Sequence, residues 1–153
     1  APELKSAFKP RYSAGGPLGL VDGLRGGKSH TDGRWQGFEG DDLDAVIDLG
    51  AARTISAVTV GFLQNASSWA FFPRSVEVAL SADGKIFTPL PAATGFEASD
   101  REGGVLLRDV KIDAGGAQAR YVRVTAKSIG NCPDWHSAAG GKAWLFADEI
   151  IVE

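Results

Sequence analysis

Methionine is absent from this sequence, cysteine occurs once, and histidine only twice, and each shortage removes a class of function. A chain without Met that starts at Ala1 is expected to be a processed protein or an excised piece of a longer one. Cys132 alone cannot form an internal disulfide, which suits a cytosolic protein or a bacterial secreted domain that needs no staples. With His30, His136 and Cys132 as the only soft donors, neither a zinc site nor a Cys-His nucleophile pair can be assembled convincingly; a buried thiol and a surface His are expected instead. No signal peptide and no apolar run of membrane-spanning length is present. There is also no basic excess. Lys and Arg number 16 against 19 Asp and Glu, for a net charge of −3, and the cations are scattered. Nothing neutralises a phosphate backbone or an anionic bilayer, so nucleic acid is excluded as a partner and a membrane is disfavoured.

What is present is a composition of 44% hydrophobic and 23% charged residues over 153 positions, enough for one domain with its own core. Apolar residues alternate with polar ones at Ala45 to Leu49, at Val58, Val60 and Phe62, at Val76, Val78 and Leu80, and at Tyr121 to Val124. Period two means half-buried strands. Turn signals at Asp83-Gly84, Gly103-Gly104 and Gly115-Gly116 separate them, and 20 Gly and 7 Pro leave no amphipathic helix of normal length. The expected fold is all-β, an antiparallel β-sandwich jelly roll, because alternating strand faces need a second sheet to cover them. Residues 1–12 read as a linker arm ahead of a module at 13–153. The stretches 13–40, 63–73 and 128–142 are too long and too aromatic for hairpins and should carry function.

Gly26-Gly27-Lys28-Ser29 imitates the end of a phosphate-binding loop, but the first Gly that motif requires falls on Asp22 and no helix start follows. Asp and Glu sit mostly in turns and at strand ends, where solvation is the default, so a glycosidase-like carboxylate pair is not indicated.

A set of landmarks then appears in order: Leu20-Val21-Asp22-Gly23, Trp35, Ile47-Asp48-Leu49-Gly50, Phe72-Pro73, Leu80-Ser81-Ala82-Asp83-Gly84, Arg120-Tyr121-Val122-Arg123-Val124 and Asp148-Glu149-Ile150. The set resembles the factor 5/8 type C, or discoidin-like, family with its galactose-binding-domain-like fold, which includes the family 32 carbohydrate-binding modules. A narrower wording, in Asp32-Gly33-Arg34-Trp35-Gln36-Gly37-Phe38, Gln64-Asn65 with Ser68-Trp69, and Trp144 to Ile150, is similar to the C-terminal module of bacterial family 20 β-hexosaminidases, or chitobiases.

The resemblance implies a structural Ca²⁺ held by Asp22, Glu149 and loop carbonyls, with Ser29 as a further candidate ligand. A Gly-rich loop bends its carbonyls inward readily, which suits a hard cation. The plainer alternative is that Asp22 caps a turn and Glu149 is a solvated edge residue. For sugars, an aromatic plane and several planar polar groups are required; the candidates are Arg34, Gln64, Asn65, Trp69, Phe71, Trp135 and His136. Trp35 and Trp144 are expected in the core, with Trp69 and Trp135 open between core and surface. Many galactose-binding relatives carry an Arg just before the Gln-Asn pair, and Leu63 stands here, so galactose specificity is not implied.

The favoured expectation is a non-catalytic, monomeric carbohydrate-binding module of a larger bacterial glycoside hydrolase, secreted, periplasmic or on the cell surface. It would bind terminal hexose or N-acetylhexosamine and hold its own catalytic domain near the substrate. The alternatives are a structural spacer, a protein- or phospholipid-interaction domain, or an enzyme in its own right.

Overall fold

Residues 43–48 read Leu-Asp-Ala-Val-Ile-Asp, and in the computed structural model, which describes residues 1–96 and 103–153, Leu43, Ala45 and Ile47 enter the core while Asp48 stays in solvent. That is the alternation a pleated strand with one covered face must show. The strands are β1 (Glu3–Leu4), β2 (Gln36–Glu39), β3 (Leu43–Gln64), β4 (Ser75–Ser81), β5 (Thr88–Pro89), β6 (Ala93–Thr94), β7 (Leu106–Lys127) and β8 (Trp144–Val152). Among the described residues the only helical piece is a 3₁₀ turn at Ala66–Ser68. The pairings are antiparallel in the order β2-β8-β3-β7-β4-β5, with β1 also on β3 and β6 on β4.

Two 22-residue strands, β3 and β7, build both layers. Each bends at an Asp-x-Gly turn, where Gly50 N donates to Asp48 Oδ1 at 2.8 Å and Gly115 N donates to Asp113 Oδ1 at 2.8 Å. Both glycines have positive φ, +83° and +62°, which an L side chain adopts only with strain. The ladder breaks register there, between Asp48 and Arg53. Before the bend β3 pairs residues 121–126 of β7, which in turn pair β4; beyond it β3 lies between β8 and residues 106–113 of β7. The two layers close on one another, with Val76, Val78, Val122 and Val124 of the first packed in one cluster with Val60, Phe62, Leu145 and Ile150 of the second.

Each such fully buried side chain is worth roughly 1.5–3 kcal/mol relative to exposure. A surface ion pair such as Asp48–Arg120, held in full contact with water, adds little by comparison. The apolar faces therefore hold the sandwich, and the expected all-β jelly roll is the fold that forms.

The first twelve residues, expected as a linker, lie on the sandwich instead. Glu3 and Leu4 pair with Val46 and Ala45, Lys9 N donates to Gly37 O at 2.8 Å, and Leu4 and Phe8 pack against the core. Strand β8 carried no clean alternation in the sequence because both of its faces are covered, so that residues 145–150 are all buried.

Candidate functional site

The loops 13–40, 63–73 and 128–142 carry two polar sites, one beside the Asp148–Ile150 stretch of β8 and one at the rim where Trp144 meets the 3₁₀ turn. The first lies where the 20–27 loop crosses β8. Ile150 N donates to Leu20 O at 2.7 Å, and Gly23 N donates to Glu149 Oε2 at 3.1 Å, so Asp22 is carried up to Glu149. Glu149 is buried, at 5% exposure, and no Lys, Arg or His forms an ion pair with it among the described residues. Burial, followed by the adjoining Asp22 and Asp148, pushes its carboxyl up to about 7; the Gly23 amide opposes this. Asp22 itself accepts Leu24 N at 2.8 Å. Two crowded carboxylates and a loop of flexible carbonyls are a donor set that fits one hard cation. No cluster of three acidic, His or Cys side chains exists among the described residues, so main-chain oxygens or water would complete the shell.

Beside it, Asp148 is buried and ties down the same loop. Its Oδ2 accepts Arg25 Nε at 2.8 Å and Gly26 N at 2.9 Å, while Arg25 also pairs with Asp109 of β7. Gly61 of β3 lies directly beneath, and a Cβ there would collide with Asp148 Oδ1 and the Arg25 guanidinium. The loop then passes Trp35, whose Nε1 donates to Gly27 O at 3.0 Å.

The second site is a pair of adjoining clefts of about 270 and 400 Å³ that share Arg11, Tyr12 and His30. Tyr12 meets Phe146 and Trp144 edge-on with ring centroids 5.0 and 5.2 Å apart, and His30 lies 5.6 Å from Tyr12. Trp144 stacks on Phe146 with the planes 9° apart. Ser67, Ser68 and Trp69 close the smaller cleft. Trp69 is 40% exposed and has φ +63°, a left-handed corner that turns the chain out of the 3₁₀ turn; its carbonyl accepts Trp144 N at 2.7 Å. Burial, then the Arg11 guanidinium, hold the His30 imidazole below its ordinary value, so it is neutral and can accept as well as donate at neutral pH. An exposed indole, two hydroxyls, an imidazole and a guanidinium around a shallow cleft are the groups that grip a polyhydroxylated ring.

Residues 5–147 match the F5/8 type C domain pattern, which is most of the chain. The chain belongs to the F5/8 type C domain family. Solved structures share the fold at low identity. A family 32 carbohydrate-binding module of AlyQ, in complex with 4,5-unsaturated mannuronic acid, is 17% identical with a TM-score of 0.60, covering 100% of this chain and 93% of that one. A Clostridium perfringens module of the same kind, in complex with GalNAc-β-1,3-galactose, is 18% identical with a TM-score of 0.58, covering 99% and 93%. A Bacteroides thetaiotaomicron fragment provisionally described as chitobiase is 20% identical with a TM-score of 0.57, covering 92% of this chain and 75% of that one. No curated protein is similar enough to count as a match.

Within this F5/8 type C domain the expected site residues divide. Asp22 and Glu149 are brought together, whereas Ser29 sits in its own turn, with Oγ 2.8 Å from Thr31 Oγ1, and no hydrogen bond joins it to either carboxylate. Trp69 and Trp135 are both exposed, at 40% and 43%. Gln64 and Phe71 are corrected: at 2% and 1% exposure neither reaches a ligand, since Gln64 Oε1 accepts Phe72 N at 3.1 Å and Phe71 packs with Cys132 and Ala143.

His136 is corrected too, because both its nitrogens are used. Nε2 faces Ala66 O at 2.6 Å and Nδ1 accepts Ala138 N at 3.0 Å, so the ring clips the 133–138 loop to the 3₁₀ turn. Asn65 Oδ1 accepts Ser67 Oγ at 2.7 Å and shapes that turn. Arg34 is exposed next to Gly33, which lines the larger cleft. Trp35 is buried as expected, but Trp144 is only partly buried and walls the cleft.

No local sequence pattern marks the cleft residues Arg11, Tyr12 and His30. Arg11 and Tyr12 fall in the stretch 1–12 that reads as a linker, and His30, isolated in a polar loop, suggests by itself only a metal ligand. The remaining decoys resolve plainly: Gly27 N is taken by Asp32 Oδ2 at 2.8 Å where a phosphate would sit, and burial pushes the Cys132 thiol up, leaving it unreactive.

Proposed function

We propose that this domain is a non-catalytic carbohydrate-binding module whose ligand, a terminal hexose or N-acetylhexosamine of a glycan, seats against Trp69 between the 3₁₀ turn and the Tyr12–His30 wall. The observation that carries this reading is the exposed Trp69 indole opening on a cleft lined by Ser67, Ser68, Arg11 and His30. A pyranose presents one apolar face and a rim of hydroxyls, and that cleft presents an aromatic surface and a rim of donors and acceptors. Sugar complexes of the two family 32 neighbours support the reading.

Asp22 and Glu149, with loop carbonyls, would hold a structural Ca²⁺ that neutralises the buried carboxylate and pins the loop to β8. The parent chain we infer is a secreted, periplasmic or surface bacterial glycoside hydrolase, of the β-hexosaminidase kind that the wording of the Trp35 and Trp144 segments resembles. The module then raises the local substrate concentration for the linked catalytic domain, so modest affinity suffices. Isothermal titration of N-acetylglucosamine, galactose and a broad glycan panel tests the reading. Binding that drops at least ~10-fold in Trp69→Ala, with unchanged thermal stability, is expected; silence of the wild-type domain across the panel would leave it a spacer or a protein-interaction domain.

A further inference from the structure

The clefts at the rim differ in charge from the rest of the molecule. The chain is net acidic at −3, yet no Asp or Glu lines either cleft, while Arg11 and His30 line both. Elsewhere Arg25, Arg120 and Arg123 are each matched by a carboxylate, Asp148, Asp48 and Asp44, and although Arg34, Arg53, Arg74 and Arg108 also lack an ion pair among the described residues, none of these lines both rim clefts as Arg11 does. Arg11 has no carboxylate within 4.0 Å among the described residues. The backbone of the adjoining Tyr12 is fixed, since Tyr12 N donates to Lys9 O at 2.9 Å, and Gly37 N donates to Tyr12 O at 3.0 Å. The guanidinium rests 5.3 Å from the centroid of the Tyr12 ring, which leaves its N–H fork free. An exposed, unmatched guanidinium, over an aromatic wall and at the junction of two cavities, is the arrangement that receives an anionic oxygen group.

We infer that the glycan bound here is acidic: its two neighbouring sugar units occupy the clefts on either side of the Tyr12–His30 wall, and Arg11 reads a carboxylate or sulfate at their junction. The inference rests on the carbohydrate-binding reading and narrows its ligand to uronate-bearing or sulfated sugars. Neutral His30 complements this role, accepting a hydroxyl proton or donating to a ring oxygen beside the anion without needing a counter-charge of its own. Two cavities sharing three residues also fit a disaccharide better than a single ring.

The test compares matched pairs of probes on the intact domain by titration calorimetry: N-acetylglucosamine 6-sulfate against N-acetylglucosamine, and methyl glucuronide against methyl glucoside, each also as a disaccharide. In 50 mM NaCl the anionic member of at least one pair should bind about 10-fold more tightly, and the ratio should shrink as salt rises to 500 mM. The pair that shows the preference tells a sulfate reader from a carboxylate reader. Arg11→Gln should collapse the ratio to about one and Arg11→Lys should retain part of it, while Arg53→Gln, which removes the same charge near the strand bend, should leave it intact. Equal or weaker binding of the anionic members, with Trp69→Ala still weakening all sugars, would overturn the inference and leave the carbohydrate-binding reading standing. No binding of any probe would overturn both.

Discussion

Gly61 shows how one residue without a side chain decides a polar network. It sits near the C-terminal end of β3, where Gly ordinarily weakens a strand, and its empty face is occupied by Asp148 and the Arg25 guanidinium. Asp148 Oδ2 is matched twice, while Oδ1 is buried with no partner in the chain, so the carboxylate depends wholly on holding its place. Gly61→Ala should therefore force the ion pair apart and cost about 2 kcal/mol or more in urea unfolding, with no loss of strand content in far-UV circular dichroism. A change below about 0.5 kcal/mol would mean that the loop yields freely and that Asp148 is not its anchor.

The 20–27 loop is tied to β8 through Asp148 and Glu149, so the charge state of Glu149 sets how firmly the two hold together. In the cation-free domain the Glu149 carboxyl titrates at about 7 instead of the ordinary 4.5. A group whose folded value is raised binds its proton more tightly in the folded chain, so its stabilising contribution is full below about 4.5 and is lost as pH rises through about 7. Thermal scans in chelator should show stability falling across that window. Added Ca²⁺ should restore it, with a larger gain at pH 7.5 than at pH 5, because a proton and a cation compete for the same oxygens. Asp22→Ala and Glu149→Gln should each abolish the Ca²⁺-dependent gain, and a gain that survives in both variants would place the cation elsewhere.

At the scale of the whole molecule, the N-terminal arm is part of the sandwich and of the rim that carries the clefts. It pairs with β3, lays Leu4 and Phe8 against the core, and delivers Arg11 and Tyr12 to the clefts. Removing residues 1–8 should lower the melting temperature by about 5 °C, the effect of losing two half-buried apolar side chains and a short edge pairing. It should also weaken sugar binding, because the Lys9–Tyr12 turn loses its support. A free linker would show neither change in a scanning calorimeter or a titration.

The sequence by itself determined the all-β class and marked the turn at Gly115-Gly116, while the acidic pair was legible only through the family resemblance. Strand periodicity is a local property, and so is the Asp-x-Gly turn at Asp48 and at Asp113. Asp22 and Glu149 were legible through their order among landmarks that the fold keeps fixed. What only the tertiary structure decided is which aromatic and polar residues face solvent. Gln64, Phe71 and His136 had suitable chemistry but lie in contacts made by strands and loops distant in the chain, and Trp144 and Phe146 became walls because Tyr12 came to rest on them. Exposure depends on what covers a residue, and in a jelly roll the cover comes from long-range antiparallel pairing that no local pattern records.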